Sequence, residues 1–165
     1  MTDLGRNLSI LLLRELATFE RELGLFPDDE TIWRTAPGMA NPAGNLALHV
    51  AGNLQHYVGA VLGGTGYERR REAEFSRRSG TRGDLVEELQ AAAAAVRQVL
   101  PGLSEERLAA IYPEKLNGLS LRTARFLMHL CVHAGYHLGQ AASLRRVLTG
   151  EDRSSGPVSL AALAD

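Results

Sequence analysis

All five histidines of the chain lie in two short windows, His49 and His56 in one, and His129, His133 and His137 in the other. A lone imidazole usually ends as a satisfied polar group in or beside a core. Five confined to two helix-like windows point to metal binding, because neutral imidazole nitrogens are common ligands of divalent ions. An α-helix turns about 100° and rises about 1.5 Å per residue. His133 and His137 therefore share a face about 6 Å apart along the axis, close enough to converge on one ion. His129 and His133 could do the same, whereas His129 and His137, about 12 Å apart, could not. His49 and His56 are about 10 Å apart, so only one of them reaches the same ion. If the two windows lie on antiparallel helices, His49 is level with His133 and His137. A simple up-down-up-down order would bring in His56 instead.

The antiparallel case gives His49, His133 and His137 as the expected ligands. Three imidazoles and an open position describe a catalytic type of site, suited to zinc, nickel, copper or iron. Cys131 is about 200° round the helix from His133 and is expected in the core. No glutamate follows His133, so the His-Glu-x-x-His protease motif is absent. Gln140 is placed either to orient a ligand histidine or to face solvent. Tyr57 and Tyr136 also fall near the site in sequence. His56 and His129 are expected to form a polar layer one or two turns from the ion, with proton transfer or packing at a dimer interface as the alternatives. The run from Glu68 to Arg82 carries Arg69, Arg70, Arg71, Arg77, Arg78 and Arg82 against Glu68, Glu72 and Glu74. Such a run reads first as a solvated, ion-paired loop, and second as an anion site at a pocket mouth. Asp28, Asp29 and Glu30 read as turn and cap residues. No Ser-His-Asp or Cys-His set is visible, and Gly63, Gly64 and Gly66 follow no strand.

Four long helices must position these groups. Apolar residues recur at helical spacing from Thr2 to Leu23, with Gly24 and Pro27 after them. A second helix is expected from Asn41, as cap, and Pro42 to Leu62. A third starts near Asp84, with Glu87 completing an Asp-x-x-Glu capping box, and ends at Pro101. A fourth runs from Ser120 to Leu148, closed by Gly150. Ser104 to Ala110 suggests one short extra helix. The expected fold is an all-α four-helix bundle over residues 1–150, with 151–165 as a tail, mobile or docked. The connection 63–83 is long enough to cross the bundle, which permits an up-down-down-up order without requiring it.

The chain has 165 residues, 45% hydrophobic and 22% charged, enough for one domain with a real core. Its net charge of −1 argues against a dedicated nucleic-acid binder. The single cysteine excludes an internal disulfide and any Cys-based zinc site. A cytoplasmic location is expected from that cysteine usage, and neither a signal peptide nor a membrane span is apparent.

The segment His129-Leu-Cys-Val-His133-Ala-Gly-Tyr-His137-Leu-Gly-Gln140 resembles the fourth helix of the DinB-like proteins (the DinB/YfiT superfamily). Asn45-Leu-Ala-Leu-His49-Val resembles the segment that supplies that family's third histidine, and Arg71-Glu72-Ala73-Glu74-Phe75 a loop of some members. The resemblance covers roughly residues 5–148. It implies an up-down-down-up bundle, a homodimer and a three-histidine divalent-metal site. It further implies a thiol S-transferase using a low-molecular-weight thiol, or a hydrolase, acting on a small electrophilic substrate. A non-catalytic, metal-stabilised dimeric binding or stress-response module is the alternative.

Overall fold

Leu8, Leu12, Leu16, Phe19 and Leu23 form one buried stripe on the first helix, as their spacing predicts. The computed structural model describes residues 2–156 and 160–163. Helix α1 spans Asp3–Gly24 and is capped by the Thr2 hydroxyl, which accepts from Gly5 N–H. A short α2, Asp29–Ile32, follows, with the Asp28 carboxylate accepting from Thr31 N–H. Helix α3 spans Ala43–Leu54 and runs on as a π-helical segment, Gln55–Leu62. Then come α4 (Arg71–Ser76), α5 (Arg82–Val99), α6 (Glu105–Ala109) and α7 (Thr123–Thr149).

The four long elements are the expected ones, and their starts differ from expectation for local reasons. Pro42, extended and without a side-chain cap, precedes α3, so Asn41 is not its cap. Helix α5 begins two residues before Asp84, because the box is Thr81 with Asp84. The Thr81 hydroxyl accepts from Asp84 N–H, and the Asp84 carboxylate accepts from Thr81 N–H. Helix α7 starts at Thr123 because residues just before it are held extended. Tyr112 N–H donates to Leu121 O at 2.8 Å, and isolated bridges pair Ile111 with Arg122 and Leu116 with Leu119. Helices α2 and α4 were not expected.

Helices α1 and α3 each pack against both α5 and α7, around one apolar core that draws on all four. The contacts at their ends give direction. Thr2 Oγ1 donates to Leu103 O beyond the end of α5, while Arg82 at its start donates to Phe26 O. Along α7, His133 and His137 meet His49, and Phe126 meets Tyr57, so α3 and α7 run antiparallel. Among the described residues no helix is long and apolar enough to cross a membrane.

The far end of α1 is joined to α7 by an ion pair, Glu22 with Arg145, both side chains fully buried. Arg145 also donates to the Glu151 and Arg153 carbonyls, and Arg21 donates to Ser155 O. The first residues after α7 are therefore docked on the bundle; residues 157–159, 164 and 165 of the expected tail lie outside the described residues. Removing one partner of such a pair strands a buried charge, at a cost of about 3–5 kcal/mol. Glu22→Gln is expected to destabilise the fold by that order. A lower urea midpoint with an unchanged slope would register it.

Candidate metal centre

Small residues on α3 let its neighbours come close. Gly44 lies against the Trp33 ring, and Gly52 leaves room for the Glu74 carboxylate, with which any Cβ there would collide. Asn45, fully buried on α3, donates to Glu74 O at 2.7 Å and Arg77 O at 2.9 Å. That pair of bonds seats α4 over the first turns of α3.

The three expected ligands come together. His49 Nε2 lies 3.1 Å from His133 Nε2, which lies 3.1 Å from His137 Nε2. One nitrogen from each lies within 4.8 Å of the others, and no further His, Cys, Asp or Glu joins the group among the described residues. Three nitrogens bound to one tetrahedral zinc lie about 3.3 Å apart, so the spacing suits an ion.

The protons on these rings follow from their outer nitrogens. His49 Nδ1 lies 2.9 Å from Glu74 Oε2. Arg69 donates to both Glu74 oxygens, at 2.7 and 2.8 Å. Burial pushes the Glu74 carboxyl up, but the bonds from Arg69 and His49 outweigh it and hold it below the usual carboxylate range. An ionised carboxylate only accepts, so His49 Nδ1 carries the proton and its Nε2 is bare. On the other side, His137 Nδ1 donates to Gln140 Oε1 at 2.8 Å, and Gln140 Nε2 donates to Tyr136 at 3.1 Å. His137 Nε2 is bare as well. Two lone pairs thus face His133 Nε2, which has at most one proton to offer. A cation removes that conflict, so the donor set fits a metal ion.

Gln140 therefore orients a candidate ligand. Cys131 stays away from the group, packed against the core, with its thiol pushed up to about 11 by burial and then by Glu15. His56 and His129 do not share a polar layer. His56 pairs with Glu114 at 3.0 Å, while His129 is exposed, its ring 6.0 Å from that of His133. The arginine-rich run is also less solvated than expected. Glu74 is buried, Arg69 is half-buried on it, and Arg77 lies over Trp33 and pairs with Asp84. Glu74 is the residue of the site that sequence reasoning missed; beside it Phe75, whose ring is 4.7 Å from that of His49, is the one aromatic residue in the run.

Burial, then the neighbouring His137 and His49, pulls His133 down from 6.5 to about 3, and burial lowers His137 too. Below 6.5 the unfolded chain takes up a proton that folded His133 refuses. Without metal, stability should therefore fall as pH drops from 6.5 towards 3. Urea midpoints of metal-free protein between pH 7.5 and 5 should show that slope, and His133→Gln should flatten it.

No curated protein matches the chain. The family model described as the DinB superfamily matches residues 11–141, which takes in α3, α5, most of α7 and all three converging histidines. On that match, the chain belongs to the DinB superfamily.

Proposed function

We propose that the chain binds one divalent metal ion (zinc, nickel or iron) through His49, His133 and His137, and uses it on a small electrophilic substrate. The reaction class is thiol S-transfer with a low-molecular-weight thiol, or a related hydrolysis. The observation that carries this reading is a three-nitrogen group with no fourth protein ligand among the described residues, edged by a cavity of about 560 Å3. A structural zinc site is normally closed by four protein ligands, whereas a catalytic one keeps a position open.

A bound ion would lower the pKa of a water or thiol beside it and so supply a nucleophile near neutral pH. The chain's own residues do the rest. Glu74 and Gln140 hold the Nδ1 protons of His49 and His137, which fixes both ring orientations and keeps the inner nitrogens free. Arg69 keeps Glu74 ionised and in place. Phe75 covers the His49 ring and limits water on that side.

This reading includes an up-down-down-up order. It is supported by α3 and α7 meeting antiparallel, by α1 and α5 joined start to end, and by Glu22 and Arg145 pairing towards the C-terminal ends of α1 and α7. It also includes a homodimer, supported by Met128, Val132 and Tyr136, which leave one face of α7 apolar and exposed. A cytoplasmic setting goes with a reduced thiol partner.

Elemental analysis of untagged protein should find about one divalent ion per chain, absent from His49→Ala and His133→Ala. Glu74→Gln should keep the ion but bind it about 10–100-fold more weakly, as removal of a partner behind a ligand histidine does. A wild type that stays empty when offered zinc, nickel and iron overturns the proposal.

A further inference from the structure

The cavity beside His49 and His133 falls in the size range of small-molecule sites, at about 560 Å3. Its charged lining has one sign: Arg69 and Arg71 contribute to it, and no acidic residue among the described ones does. The Arg69 charge is committed to Glu74. Arg71 differs. It is exposed, its guanidinium lies 5.3 Å from the centre of the Phe75 ring, and it has no carboxylate partner among the described residues. Across the cavity, Leu116, Leu119 and Leu121 form an apolar wall on the turn that precedes α7. Leu119 is 63% exposed and, with the half-buried Leu116 and Leu121, makes an apolar patch rather than a lone exposed leucine. Asn53, one turn after His49, also lines the cavity. It is only 7% exposed, yet its side-chain amide makes no hydrogen bond among the described residues, and its Oδ1 is wholly buried. Buried amides are almost always paired, so this one is suited to a ligand.

We propose that this cavity binds a small amphipathic carboxylate. Its anion sits on Arg71, its apolar part lies against Leu116, Leu119 and Leu121, and a polar group in its middle meets Asn53. The planar guanidinium fork matches a carboxylate in shape. Arg71 is the one uncommitted arginine among the described lining residues, and its single charge balances one negative charge rather than the two of a phosphate monoester. The proposal rests on the reading of this cavity as the substrate chamber of the three-histidine centre.

The test is calorimetric titration of the full chain with octanoate, acetate and 1-octanol, with metal content measured on the same samples. Octanoate should bind at least about tenfold more tightly than either of the others, since it alone has both features. Arg71→Gln should weaken octanoate about tenfold and leave 1-octanol unchanged, in keeping with the loss of one charge-assisted contact. Arg70→Gln removes the same charge one residue away, from a side chain that lines a different cavity, and should change nothing. Equal binding of octanoate and 1-octanol overturns the proposal. So does an Arg71→Gln protein that binds octanoate as the wild type does, which would place the anion on the metal. A chain that holds no metal yet binds octanoate through Arg71 fails the metal reading alone. A chain that keeps its metal without any dependence on Arg71 fails this one alone.

Discussion

Two bare imidazole nitrogens facing a third ring are the constraint from which the rest of this site follows. Such an arrangement persists only if the two bare rings are held from behind. His49 is held by Glu74, and a carboxylate buried there needs a cation, which Arg69 supplies through two bonds. The carboxylate also needs space, which Gly52 provides, and it needs its helix held in place, which the Asn45 amide does from α3. Two turns of α3 therefore carry a ligand, the anchor of α4 and the gap that admits the ligand's partner. On α7 the arrangement is simpler. His133, His137 and Gln140 stand on neighbouring turns of one face, so the helix itself sets their spacing.

That contrast explains what was legible in the sequence. Residues that cooperate along one helix repeat at spacings of three and four, and that alone narrowed the α7 half of the site to two pairs that share His133. The choice of His49 over His56 needed the direction of α3 against α7. The length of the 63–83 connection permitted that direction, and the resemblance of the segment around His49 to a family element favoured it. Glu74 left almost no trace. It is far from His49 in sequence and sits among charges that ordinarily face water. Its burial depends on Gly52 and Arg69, and each of these looks unremarkable alone. Asn53 is hidden in the same way, because an unpaired amide is a property of its surroundings.

The elements show the same division. The long helices carry several turns of apolar periodicity and were readable throughout. With four and six residues, α2 and α4 are too short to show a period. Helix starts moved where backbone hydrogen bonds compete for the residues. The stretch before α7 pairs with residues 111–116 and stays extended, although its composition would tolerate a helix. That same pairing places Leu116, Leu119 and Leu121 along the cavity. The turn is further tied to the π segment of the second long helix, by Tyr112 donating to Tyr57 O and by Glu114 meeting His56. Departures from regular helix are thus concentrated around the cavity, where π turns commonly accompany function.

Metal centres in small domains often substitute for a core the chain cannot build. This chain is not short of one. Leucines and alanines from all four long helices form a continuous buried cluster, and the Glu22–Arg145 pair joins α1 to α7 independently of the histidines. A site of purely structural purpose would gain most by full enclosure within that cluster. Instead, His133 and His137 remain partly exposed, and the group borders a cavity with a positive mouth and an apolar wall. An open face costs stability: the rings keep fewer packing contacts, and the low pKa of His133 makes the empty site a liability as pH falls. Keeping that face open is physically sensible where something must reach the ion, and a stable core is what lets the bundle carry the cost.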